Sequence, residues 1–69
     1  MSAVYFEITG KVKALTGKAV LFVFENNGDI EEKWIPRSVL NPYIEEFLDH
    51  NTTELEILEW FCNKEGIEG

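Results

Sequence analysis

The stretch Ala19-Val20-Leu21-Phe22-Val23-Phe24-Glu25-Asn26-Asn27-Gly28-Asp29-Ile30-Glu31-Glu32-Lys33-Trp34-Ile35-Pro36 decides the fold. Its first seven residues are rich in β-formers and apolar on both parities, which predicts a central strand covered on both faces. Asn27-Gly28 then supplies two residues that tolerate positive φ, the strongest short signal for a β-hairpin. The return strand, Ile30 to Ile35, puts Ile30 and Trp34 on one parity and Glu31, Lys33 and Ile35 on the other. Trp34, sharing the parity of Ile30, is expected in the core. Pro36 ends the strand because it has no N–H for the ladder.

Upstream, Val4, Phe6, Ile8, Val12 and Ala14 alternate with Tyr5, Glu7, Thr9, Lys11 and Lys13, the period of a half-buried strand. Gly10 interrupts that run, where a bulge or sharp bend is expected. Leu15-Thr16-Gly17-Lys18 reads as a turn, so residues 3–35 form a three-stranded antiparallel meander. Downstream, Asn41-Pro42 predicts a helix start, with Asn as N-cap and Pro at the first position. The expected helix covers 42–49. Tyr43/Phe47 and Ile44/Leu48 lie on one face, and Glu45, Glu46 and Asp49 on the other. Residues 53–65 admit two readings. Thr53 and Glu56 fit a capping box, opening one helix to Lys64. Alternatively, Glu54-Leu55-Glu56-Ile57 alternates as a fourth strand before a short helix from Glu59 to Glu65. Strand then helix is the favoured reading, because a fourth strand reduces exposed sheet edge. Either way Gly66 ends the helix and Ile67 makes the apolar contact of a Schellman cap. The fold class is therefore α+β: a small twisted antiparallel sheet or partial β-barrel of three to four strands, with one or two short helices, in a single domain over 1–69.

Three segments share a further pattern: Gly17-Lys18-Ala19-Val20-Leu21-Phe22-Val23, Glu32-Lys33-Trp34-Ile35-Pro36-Arg37-Ser38, and Glu59-Trp60-Phe61-Cys62-Asn63-Lys64-Glu65-Gly66-Ile67. The chain resembles a family of small phage- and prophage-encoded proteins with a "KAVLV", "WIPKS" and "EWLAxKKGL" pattern. That resemblance implies a small β-rich domain with a short C-terminal helix and a phage-related origin. It carries no functional residues over to this chain. Two departures stand out: Arg37 where Lys is usual, and an acidic helical segment over 39–51 where a short loop is expected.

Composition narrows the possibilities. A 69-residue chain has a small core, and the two Trp, two Tyr and five Phe supply much of it. One Cys and one His exclude an internal disulfide and a four-ligand zinc site within the chain. With no basic n-region ahead of an apolar run, the expected setting is the reducing cytoplasm of a bacterial host. No apolar run has membrane-spanning length. Asn51-Thr52-Thr53, a glycosylation pattern, is read as coincidence.

Charge is the main functional signal. The net charge is −7. Lys11, Lys13, Lys18, Lys33 and Arg37 balance Glu7, Glu25, Asp29, Glu31 and Glu32 in residues 1–37. Beyond them, Lys64 alone opposes Glu45, Glu46, Asp49, Glu54, Glu56, Glu59, Glu65 and Glu68. Such asymmetry points to a basic partner. The expected function is therefore that of a phage-related acidic protein. It binds and inhibits a host nucleic-acid-processing or defence protein, for example as an anti-CRISPR-type inhibitor, by surface occlusion or DNA mimicry. Its partner-binding residues are Glu45, Glu46, Asp49, Glu54, Glu56, Glu59 and Trp60. Trp60 and Phe61 cannot both enter one small core, so one of them is expected to be partly exposed. The alternative is a small β-barrel nucleic-acid-binding module of phage replication or recombination, gripping single strands with Lys13, Lys33, Trp34 and Arg37. Direct nucleic-acid binding is disfavoured by the overall charge. A homodimer is compatible with either reading.

No catalytic constellation, cofactor motif or metal site is expected. Glu31-Glu32 and Glu45-Glu46 are wrongly spaced for shared acid–base work. His50 has no oriented nucleophile. Cys62 follows two aromatics and reads as a small buried hydrophobe.

Overall fold

The computed structural model describes residues 3–67. Four strands form one open antiparallel sheet in the order β3-β2-β1-β4. The strands are β1 (Tyr5–Leu15), β2 (Ala19–Asn26), β3 (Asp29–Pro36) and β4 (Glu54–Leu58). Two short helices, α1 (Pro42–Glu46) and α2 (Glu59–Glu65), complete the fold, with a 3-10 turn over Arg37–Val39. The sheet does not close into a barrel.

The β2–β3 hairpin forms as its sequence demands. Asn27 (φ 54°) and Gly28 (φ 86°) both take positive φ, as a tight type I′ turn requires. The register then runs from Asn26 opposite Asp29 to Ala19 opposite Pro36. It places Val20 across from Ile35 and Leu21 across from Trp34. Val20, Phe22, Phe24 and Ile35 enter the core. Trp34 lies on the outer face and is 52% exposed, so it is not a core residue. The physical reason is coverage. Only one face of β2 is packed over, and Ile35 takes the inward position beside Pro36. β2 is interior to the sheet but not covered on both sides, because Leu21 and Val23 remain half-buried on the outer face.

β1 serves two neighbours in succession. Tyr5–Thr9 pair with β4, and Gly10–Leu15 pair with β2. Gly10 sits at the changeover, where a Cβ would lie 2.1 Å from the Val23 carbonyl oxygen and 3.0 Å from Phe22 and Phe24 side-chain atoms. The bulge is not at Gly10, however. The register shifts between Val12 and Ala14, leaving Lys13 as the extra residue. An extra residue reverses the parity of the rest of the strand. Ala14 thus lies opposite Leu21 on the outer face, while Leu15 lies opposite Val20 and packs against the core.

Residues 54–65 are a strand followed by a helix. Leu55 and Ile57 point inward from β4 and are fully buried. Phe61 and Cys62 of α2 close over the same face. Gly66 ends α2 in the left-handed conformation (φ 72°), and the Ile67 N–H donates to the Cys62 carbonyl at 2.8 Å. Ile67 itself is buried, completing the Schellman cap. Asn26, read from sequence only as a turn residue, is buried in this junction. Its side-chain amide donates to the Gly66 carbonyl at 2.9 Å and to Glu31 Oε2 at 2.8 Å.

The helix expected over 42–49 is shorter, ending at Glu46 with Phe47 as C-cap. Asn41 is its N-cap, accepting from the Tyr43 N–H at 3.1 Å. Ile44 and Leu48 pack against the core. Tyr43 and Phe47 do not share that contact and are 77% and 73% exposed. A single turn of helix beside a small core can bury only one narrow stripe.

Candidate functional site

The site is built on the flank formed by β4 and the first half of β1. Antiparallel pairing sets Glu7 directly opposite Glu56, with Thr9 opposite Glu54. All three carboxylates point to the outer face, because Ile8, Leu55 and Ile57 occupy the inward positions between them. The carboxylate oxygens of Glu7, Glu54 and Glu56 lie within 4.8 Å of one another. Among the described residues no lysine or arginine forms an ion pair with any of them. Glu56 is half-buried and accepts a hydrogen bond from Asn41 Nδ2 at 3.0 Å. The Asn41 N–H also donates to the Glu56 carbonyl at 2.9 Å, so the segment entering α1 is clipped to the edge of β4.

Besides half-buried Glu56, the expected contact residues divide into two groups. Glu46, Glu54, Glu59 and Trp60 are exposed. Glu59 begins α2 immediately after β4, and Trp60 stands 57% exposed against the ring of buried Phe61 in an edge-on contact. Glu45 and Asp49 have internal tasks instead. Glu45 Oε1 pairs with Arg37 Nη2 at 3.1 Å. Asp49 Oδ1 accepts from the Asn51 N–H at 2.8 Å and from the Thr52 hydroxyl at 3.4 Å, holding the turn after α1. Glu7 was missed in the sequence because it belongs to the charge-balanced half. Its position on the wet parity of β1 was legible, but its approach to Glu56 depends on which strand pairs with β1.

The cations proposed for nucleic acid are committed elsewhere. Lys13 pairs with Glu32. Lys33 lies 3.7 Å from Glu31 and 3.9 Å from Glu65. Arg37 holds Glu45, and its Nη1 donates to the Thr16 carbonyl at 3.1 Å. Arg37, Ser38, Leu40, Pro42 and Glu45 line an open recess of about 280 Å³, but Glu45 neutralises its one cation. His50 is exposed in the turn after α1. Cys62 is fully buried, and burial pushes its thiol up from the ordinary value of 9.0. No helix of the described residues is long and apolar enough to cross a membrane.

A scan against protein-family models finds no match, and searches of curated proteins and of solved structures find none either. The resemblance to small phage proteins therefore rests on its quoted segments alone.

Proposed function

We propose that this chain is a non-enzymatic binding protein that docks its acidic β4 flank on a basic, nucleic-acid-binding surface of another protein and excludes nucleic acid from it. One observation carries this reading. Glu7, Glu54 and Glu56 converge without a cation, while Lys13, Lys33 and Arg37 are all engaged with other acids. Gathering like charges disfavours the isolated fold. A basic partner relieves that repulsion, and opposite potentials accelerate encounter. Exposed Trp60, one residue beyond Glu59, supplies an aromatic anchor of the kind that concentrates binding energy. The resemblance to phage-encoded proteins makes a bacterial host protein, such as a defence nuclease complex, the natural partner.

Titration of fluorescent single- and double-stranded oligonucleotides at low salt, followed by anisotropy, separates this reading from a nucleic-acid module. Electrostatic attraction is strongest under those conditions. The docking reading expects no binding to either strand form. Micromolar binding that collapses as salt rises overturns it.

A further inference from the structure

The opposite side of the molecule is built differently. β3 is an outer strand, and hairpin geometry fixes which of its backbone groups face away from the sheet. In a two-residue hairpin the flanking pair exchanges both ladder bonds, and every second pair does so thereafter. Asn26/Asp29, Phe24/Glu31, Phe22/Lys33 and Val20/Ile35 are thus the bonded pairs. The Arg37 N–H donating to the Lys18 carbonyl at 2.8 Å continues the series. Ile30, Glu32 and Trp34 consequently turn their N–H and C=O groups outward. Among the described residues no other segment bonds to these backbones. The remaining edges are broken up. Leu40 and Asn41 occupy the outside of β4, and the bulge at Lys13 interrupts the second half of β1. Bulges and covering loops are usual protections for sheet edges, and β3 has neither; its only guards are the charges of Glu31, Glu32 and Lys33 and the terminal Pro36, and those charges can be paired off by a second copy.

We infer that β3 is a self-pairing edge. Two copies of this chain join antiparallel through Ile30–Trp34, about a two-fold axis at Glu32, to make a continuous eight-stranded sheet. The sequence Ile30-Glu31-Glu32-Lys33-Trp34 is complementary to itself when reversed. In this register Glu31 faces Lys33 of the second copy, and Lys33 faces its Glu31. Ile30, 70% exposed, faces the 52% exposed Trp34 of the second copy, and the reverse pair does the same. The outward groups of Ile30, Glu32 and Trp34 then meet their counterparts in full. The two Glu32 side chains meet at the axis, each already neutralised by Lys13 of its own chain.

Charge and side-chain pairing together favour this register over its neighbours. A slip of two residues one way sets Lys33 against Lys33 with no opposite-charge pair; the other way exchanges Glu31–Lys33 for Asp29–Lys33 beside the turn, sets Glu31 against Glu31 where Glu32 had Lys13 to screen it, and parts Ile30 from Trp34. Like charges directly opposite are destabilising, and opposite charges and aromatic–β-branched pairs are stabilising. Lys33 can accept the new partner, since its own contacts to Glu31 and Glu65 are loose, at 3.7 and 3.9 Å. One strand pair buries less than the roughly 1,200 Å² of a standard stable interface, so the dimer is weak and concentration-dependent. It leaves the two acidic β4 flanks at opposite ends and does not depend on their function.

The test is sedimentation of the full chain from low micromolar to millimolar concentration, with charge-swap variants. The wild type should pass from monomer to dimer across that range. Lys33→Glu alone and Glu31→Lys alone should each stay monomeric, with circular dichroism verifying their fold. An equal mixture of the two should dimerise, because both 31/33 facing pairs are then opposite in charge. Amide exchange on the wild type, which needs no variant, should slow at Ile30, Glu32 and Trp34 as concentration rises. A wild type monomeric at millimolar concentration overturns the proposal. So does a dimer whose three amides stay unprotected, or one that both single variants retain.

Discussion

Gly10→Ala is the sharpest test of how the sheet is assembled. The added Cβ would lie 2.1 Å from the Val23 carbonyl oxygen, against a floor of 3.0 Å for real Cβ contacts. β1 and β2 must therefore part by about 0.9 Å at the point where Gly10 faces Phe24. The obstructing atom is backbone, so rotation of a side chain gives no relief. Overpacking of this kind costs about 1–3 kcal/mol. Stretching the neighbouring ladder hydrogen bonds adds about 1 kcal/mol, for a total of about 2–4 kcal/mol. The whole stability of a chain this size is about 3–10 kcal/mol. At about 4–8 °C per kcal/mol, the midpoint of thermal unfolding should fall by at least about 8 °C. Far-UV circular dichroism melts and urea titrations measure this. Gly17→Ala is the matched control, because nothing lies within 4 Å of its Cβ position. It should be neutral or stabilising by about 0.4–1 kcal/mol through the unfolded chain. If Gly10→Ala melts within 3 °C of Gly17→Ala, the tight β1–β2 approach and the role of Gly10 in it are refuted.

Two further outcomes concern buried groups. Asn26→Ala removes the amide that joins the hairpin to the end of α2, and should cost about 1–3 kcal/mol in urea titration with the fold retained. An unchanged midpoint would mean that the junction contributes nothing. The raised Cys62 thiol has a stability consequence of definite sign. The unfolded thiol ionises first, so its contribution is complete below pH 9 and is lost as pH rises through the higher folded value. Melting temperature should drop above pH 9 more steeply in the wild type than in Cys62→Ala, and a thiol reagent at pH 8 should label the chain only on unfolding. Rapid labelling of the folded protein would contradict the burial.

The hairpin was legible because Asn27-Gly28 admits essentially one turn and period two holds on both sides of it. The 53–65 segment was ambiguous for a physical reason. Thr53 and Glu56 fit a capping box while residues 54–57 alternate as a strand, and it is the free edge of Tyr5–Thr9 that settles the segment as the strand the sequence favoured. The inner and outer faces were not legible. β2 offers Val20, Phe22 and Phe24 on one side and Leu21 and Val23 on the other, both apolar. Which side α2 covers is a tertiary fact, and Trp34 lies on the uncovered one. The bulge at Lys13 was masked by Gly10, the more conspicuous irregularity three residues earlier. Of the acidic set, Glu54 and Glu56 were readable from charge alone. Glu7 required the β1–β4 pairing, while Glu45 and Asp49 proved to be engaged within the fold.

Capture with the immobilised chain at low salt shows whether the acidic flank is a contact surface. Wild type should retain nucleic-acid-binding proteins from a bacterial lysate, and duplex DNA should displace them. A Glu7→Gln/Glu54→Gln/Glu56→Gln variant should lose that capture. Glu25→Gln, which removes one acid from a different strand, should keep it. Equal capture by the triple variant, or retention that DNA leaves undisturbed, would contradict the account.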